Sequence, residues 1–218
     1  MSYIYVIDGE KGAGKTSFMS LFAYDMKMRF PDLTLWSNYE LRGSRLFTSY
    51  TDFLEMAKLD NNLVVWDESY IDLDSRNASS NKGQMYLTQV FNLLRKFRAT
   101  VMLTAVSMST LDSRVREEID VYVFARVRGQ YTEYEFYDFR NGRLLKRSMV
   151  KRDLMKRVLN EMKLFKTWRP VIPIQQPNKD TFPEFHKQLV AYNDNYYKVH
   201  QPEMYSGYED MDSMRIVN

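Results

Sequence analysis

Gly9-Glu10-Lys11-Gly12-Ala13-Gly14-Lys15-Thr16 is the stretch that decides the fold. It fits G-x-x-x-x-G-K-[ST], the pattern of a loop that cradles phosphates. Before it runs Tyr3-Ile4-Tyr5-Val6-Ile7, apolar, β-branched and aromatic, as a buried parallel strand requires. After it, Thr16 to Phe30 has helical spacing, with Phe18, Leu21, Phe22, Met26 and Phe30 on or near one face. Strand, glycine loop and helix together aim backbone N–H groups and a helix N-terminus at a polyphosphate. Gly9, Gly12 and Gly14 permit the tight turns and close approach. Lys15 can reach the β- and γ-phosphates, and the Thr16 hydroxyl can ligate Mg²⁺. The predicted nucleotide-binding stretch is therefore Gly9, Glu10, Lys11, Gly12, Ala13, Gly14, Lys15, Thr16 and Ser17. An ordinary glycine turn before a helix is the competing reading, and the flanking elements weigh against it.

Leu63-Val64-Val65-Trp66-Asp67-Glu68 supplies the second half of a site. An apolar run ending in an acid reads as a central strand whose carboxyl end faces the ligand crevice of an open α/β sheet. Asp67 is placed to hold Mg²⁺ as a Walker B aspartate. Glu68 is the candidate general base for a water. A water-activating glutamate argues against a small-molecule kinase. No Asn-Lys-x-Asp base-reading motif of a signalling GTPase is present. The extra lysine of partition ATPases is replaced by Glu10, with Lys11 one place later. What remains is the group of ATPases with an additional strand and a catalytic glutamate, typically motors.

The chain has 218 residues and a net charge of +3. One domain is expected, able to bury about 70% of its unfolded surface. Cysteine is absent, which excludes disulfides and thiolate metal sites. The only histidines, His186 and His200, read as surface residues. No signal peptide and no apolar run of about 20 residues is seen, so no transmembrane segment is expected. Charge is unevenly spread: Arg140 to Arg169 holds eleven Lys or Arg against Asp153 and Glu161, whereas Glu203 to Asp212 is acidic. Such blocks suggest an interaction surface.

Further along, Leu33 to Ser37 reads as a second strand, Leu41 to Ser49 as loop, and Thr51 to Leu59 as a short helix capped by Thr51 or Ser49. Asn61-Asn62 reads as a turn. Ile71 to Gly83 is polar and reads as a loop beyond the catalytic edge of the sheet. Met85 to Phe97 is helical, with Leu87, Val90, Phe91, Leu94 and Phe97 inward; Ala99 to Ala105 and Ile119 to Val127 are strands. Tyr131 to Phe139 alternates, and Asn141-Gly142 before Leu144-Leu145 signals a hairpin that extends the sheet antiparallel at one edge. Lys151 to Lys166 reads as an amphipathic helix, apolar along Leu154, Met155, Val158, Leu159, Met162 and Phe165. From Pro170 onward the chain holds five of its six prolines and reads as an irregular arm with one helix, Pro183 to Tyr192. The expected fold is α/β: a mostly parallel P-loop NTPase sheet of the RecA/ASCE kind, flanked by helices. The expected division is an ATPase domain over 1–169, with its core at 1–130, and a C-terminal arm over 170–218.

With the P-loop, the Asp67-Glu68 strand and the segment Thr104 to Arg126 assembled, the chain resembles the FtsK–HerA superfamily of DNA-pumping ATPases. The small members that package the genomes of tailless icosahedral viruses with internal membranes look most similar. The resemblance covers residues 1–130. It implies a polar sensor at the end of the next strand, where Thr104 stands with Ser107 as substitute; Ala105 occupies the place where many members have Gln. It implies an arginine inserted into a neighbouring subunit's site, for which Arg114 and Arg116 are the candidates and Arg76 and Arg126 the alternatives. It also implies basic loops touching a DNA backbone without reading bases, for which Arg76 to Lys82 and the Lys151–Lys166 helix qualify. The function implied is ATP- and Mg²⁺-dependent translocation of double-stranded DNA into a preformed capsid by a homo-oligomeric ring. A capsid or membrane-vertex protein would be its partner, in the host cytoplasm or on the virion. Two alternatives stand beside it: a Zot-like or filamentous-phage assembly ATPase, and a nucleotide-switched docking protein that does not pump.

Overall fold

The computed structural model describes residues 2–73, 82–166 and 168–205, with the side chains of 82–84 and 204–205 left out. Eight strands form one sheet: β1 (Ile4–Gly9), β2 (Thr34–Ser37), β3 (Arg45–Leu46), β4 (Asn62–Trp66), β5 (Ala99–Thr104), β6 (Val121–Arg128), β7 (Tyr131–Asp138) and β8 (Leu144–Lys151). Their order is β3-β2-β4-β5-β1-β6-β7-β8. The first six are parallel, and β7 and β8 continue the sheet antiparallel. Strand β5 lies between the glycine-loop strand β1 and the acid-bearing strand β4. That inserted strand is the arrangement of the RecA/ASCE-like P-loop fold that the motifs predict.

Helices cover both faces, as parallel strands require. On one face α1 (Lys15–Arg29) and α5 (Arg152–Met162) pack over Ile7, Leu35, Leu63, Val65, Met102 and Val123. On the other, α2 (Asp52–Ala57), α3 (Lys82–Leu93), α4 (Ser113–Glu117) and α6 (Phe182–His200) pack over Ile4, Val6, Val64, Trp66, Val101 and Leu103. A short α7 (Pro202–Tyr205) ends the described chain. Strand β4 feeds both layers, and every residue in it is buried. Trp66 is fully buried; its indole N–H donates to Asp72 Oδ2 at 2.9 Å, and Phe47 meets it edge-on at 5.4 Å. The polar end of the ring is thus satisfied while its apolar body fills the core.

Several readings change. The buried stripe of α1 is Met19, Ser20 and Ala23, and Phe30 is exposed. The segment Leu41 to Ser49 contains β3, paired to β2 through Trp36 and Ser37. Neither Thr51 nor Ser49 caps α2; the Asp52 carboxylate accepts from the N–H groups of Thr48 and Ser49 instead. Asn62 opens β4 rather than turning, because its buried amide accepts from Trp36 Nε1 and donates to the carbonyls of Met56 and Phe97. Lys151 belongs to β8, so α5 starts one residue later, and Leu154 is exposed while Met155 and Leu159 are buried.

The largest difference is α6, which runs through to His200. Asn193, Asp194 and Asn195 are poor helix formers, so sequence alone ends the helix near Tyr192. Tertiary contacts carry it on. Tyr196 is buried beneath the Arg98 guanidinium, with its hydroxyl on Asp60, and Arg98 also donates to Asn193 Oδ1 at 3.2 Å. The stretch Arg76 to Lys82, read as a DNA-contacting loop, lies outside the described residues except for Lys82, whose backbone opens α3.

Candidate nucleotide-binding site

The carboxyl ends of β1, β5, β4 and β2 open into a cleft of ≈ 680 Å³ lined by Gly12, Lys15, Thr16, Asp67, Glu68 and Thr104 among others. The sequence-predicted halves of the site therefore meet. Gly9 has φ +132°, and a Cβ there would lie 2.0 Å from the Ala125 carbonyl oxygen, so only glycine lets the loop leave β1 against β6. The Glu10 N–H donates to that same carbonyl at 3.2 Å. Gly14, at φ +80°, sits under Met155 and Tyr134 and gives α1 no side-chain cap. The N–H groups opening α1 thus face the cleft at the positive end of the helix dipole.

Lys15 Nζ spans the loop, donating to Gly9 O at 2.8 Å and Glu10 O at 3.3 Å. The Thr16 hydroxyl lies 2.9 and 3.0 Å from the two oxygens of Asp67. Thr104 Oγ1 donates to Asp67 Oδ1 at 2.5 Å and accepts from the Glu68 N–H at 2.8 Å. One hydroxyl therefore fixes both members of the acid pair. Glu68 adopts φ +49°, uncommon for a residue with a Cβ, and its exposed side chain lines the cleft. Burial pushes the Asp67 carboxyl up, opposed by its hydrogen bonds from Thr104 and Thr16. Glu68 is also raised, by partial desolvation of its carboxyl at the cleft and then by the Asp67 charge. Burial lowers Lys15, against the pull of Asp8 and Asp67.

The other predicted residues fall into two groups. Lys11 and Ser17 line the cleft, and Ala13 is buried behind it. Glu10 turns away: its carboxylate accepts from the Val127 N–H at 3.3 Å. Ser107 caps a short 3-10 turn by accepting from the Ser109 N–H. Arg114 is forked onto Asp112 at 2.9 and 2.8 Å, Arg126 lies 5.1 Å over the Phe124 ring, and neither these two nor Arg116 lines the cleft. Arg76 lies outside the described residues.

Sequence reasoning missed the supports. Asn38, buried just past β2, donates to the Asp67 carbonyl at 2.9 Å and accepts from the Asp67 N–H at 2.8 Å. Tyr39 reaches Ser20 of α1 at 2.8 Å, and burial raises its phenol. Asp8 accepts from the Met108 N–H at 3.1 Å and the Tyr122 hydroxyl at 3.3 Å, tying the loop base to the segment after β5. The Tyr134 hydroxyl donates to the carbonyls of Ala13 and Gly14, both at 3.2 Å, while its ring stacks on Phe18 at 4.3 Å. The far wall is Glu40, Phe165, Lys166, Arg169, Pro170 and Val171. No local pattern announces any of these roles, since each partner is distant in sequence.

The donor set suits a nucleoside polyphosphate with a divalent cation. A glycine loop with open space at Gly12, an unengaged helix start, one lysine and a hydroxyl–carboxylate pair are all present. Among the described residues no cluster of three or more His, Cys, Asp or Glu forms an all-protein metal cage. Mg²⁺ shared between one carboxylate, one hydroxyl and phosphate oxygens needs none. Among the described residues no helix is long and apolar enough to cross a membrane.

No protein-family model matches the chain, and no curated protein matches it. Solved structures do. The chain is similar to the N-terminal domain of zonular occludens toxin from Neisseria meningitidis, at 15% identity and TM-score 0.54, over 76% of this chain and 100% of that one. It is similar to a DnaB-like replicative helicase at 12% identity and TM-score 0.50, over 68% of this chain and 55% of the longer helicase chain. The genome packaging NTPase B204 from Sulfolobus turreted icosahedral virus 2 aligns at 14% identity and TM-score 0.48, over 68% and 97%. At these identities the likeness is one of fold.

Proposed function

We propose that the chain is a Mg²⁺-dependent ATPase that moves double-stranded DNA, most simply as a viral genome-packaging motor working as a homo-oligomeric ring. The observation that carries this reading is the acid pair. Asp67 faces Thr16 across the cleft, and Glu68 stands beside it in a left-handed turn held by Thr104. Lys15 and the N–H groups opening α1 bind the phosphates. Thr16 and Asp67 would hold the metal, which when bound neutralises charge on the phosphoryl oxygens. Glu68 accepts a proton from the attacking water, a role its raised carboxyl can fill. Thr104, bonded to both acids, relays the presence of the terminal phosphate to β5. DNA would meet basic side chains of β8 and α5, which touch phosphates and read no bases. A capsid or membrane-vertex protein is the proposed docking partner, in the host cytoplasm or on the virion.

A second reading is a Zot-like assembly ATPase, in which the same core drives extrusion. It is favoured by the likeness to the zonular occludens toxin domain, which spans the whole of that domain. The shared test is phosphate release measured with and without double-stranded DNA over a range of salt. Motor function predicts Mg²⁺-dependent hydrolysis that DNA stimulates and salt progressively suppresses. Hydrolysis indifferent to DNA would favour nucleotide-switched docking, and no hydrolysis would contradict the enzyme reading.

A further inference from the structure

The arginines that sequence offers for charge stabilisation stand off the cleft or outside the described residues, yet one other arginine lines it. Arg169 lies on the far wall of the cleft, with Glu40 and Lys166, rather than in the glycine loop. Its position is set from both sides. The Arg42 N–H donates to the Leu164 carbonyl at 2.8 Å, and the Ile172 N–H donates to the Asn38 carbonyl at 2.9 Å. Asn38 in turn brackets the Asp67 backbone. Lys166 and Arg169 therefore lie between two backbone clips, the second of which leads through Asn38 to the Asp67 backbone. Both are tethered to Glu40, Arg169 by a close ion pair and Lys166 at 3.9 Å.

Glu40 and Arg169 are each about half exposed, at 47% and 51% of their side-chain surface. Solvent screens such a pair, so it is easily exchanged for a better one. A terminal phosphoryl group offers several charged oxygens in a geometry that a planar guanidinium meets with two parallel bonds. We propose that Arg169 leaves Glu40 for the terminal phosphate of a bound nucleoside triphosphate, so that the chain supplies its own charge-stabilising arginine in cis. Glu40 holds the side chain at the rim and competes with the phosphate for it. This rests on the nucleotide-binding reading above.

Calorimetric titration with Mg²⁺ and either ADP or a non-hydrolysable triphosphate analogue tests it in wild type, R169A, R169K and E40Q. Loss of a charge-assisted contact predicts that R169A weakens the triphosphate analogue about tenfold or more and leaves ADP nearly unchanged. R169K should recover part of the loss, and E40Q should tighten the analogue alone. Melting temperatures should stay close to wild type, because both side chains are half exposed. Equal weakening of both nucleotides in R169A would assign Arg169 to holding the wall and overturn the proposal, as would no change in either. A wild-type protein that binds neither nucleotide would instead overturn the nucleotide reading itself.

Discussion

The glycine-loop end of the sheet and the C-terminal third of the chain serve the same cleft by opposite means. Around β1, α1 and β4 the geometry is local: glycines at positive φ, a lysine folded over its own loop, and an acid pair at a strand end. From β7 onward everything acts at long range. Tyr134 bonds the loop carbonyls, Met155 closes over Gly14, and Phe165, Lys166, Arg169, Pro170 and Val171 line the far wall of the cleft. On the opposite face α6 locks onto Arg98. The first region holds the proposed phosphate loop and acid pair, and the second, apart from the role proposed for Arg169, holds the first in shape. Mutations should therefore separate turnover from stability according to which region they strike.

The largest separation is expected at Glu68. Glu68→Gln keeps shape and hydrogen bonding at an exposed position but removes the proposed base, so turnover should fall by about 10²–10⁴-fold. Nucleotide affinity, read by calorimetry, should hold; loss of binding together with turnover would move Glu68 from chemistry to architecture. Arg98 offers the reverse case. Its guanidinium donates to the carbonyls of Leu59 and Ala57 and to Asn193, and lies against Tyr196. Arg98→Ala should cost about 2–4 kcal/mol of stability by denaturant melts, with kcat close to wild type where the protein remains folded. A sharp fall in kcat at full folding would break the division drawn here. Tyr134→Phe gives the smallest change, since ring stacking on Phe18 survives and only the hydroxyl bonds go. About 1 kcal/mol of stability should be lost, with a modest rise in KM from the loosened loop; a variant indistinguishable in both would show that the hairpin only extends the sheet.

The same contrast explains what was legible in the sequence. The glycine octet, the β-branched strands and Asn141-Gly142 are constraints within a few residues, so the sheet, α1 and the β7–β8 hairpin could be read directly. The place of β5 between β1 and β4 followed from the class that the Asp67-Glu68 pair indicated. Asn38 could not be read: a lone Asn after a strand looks like a turn, and only burial beside Asp67 makes it a bracket. The helix beyond Tyr192 was hidden for a related reason, because weak local propensity is overridden by Tyr196 packing beneath Arg98. Arg169 looked like one more charge in a basic block until Glu40 and the two backbone clips placed it on the cleft wall.

A crystal structure grown with Mg²⁺ and a non-hydrolysable ATP analogue tests the central claim most directly. The account predicts phosphates seated on the N–H groups of Gly12 to Thr16, the metal between Thr16 and Asp67, and Glu68 beside the terminal phosphate. A saturating analogue found elsewhere, or none bound while Thr16 still closes on Asp67, would contradict it.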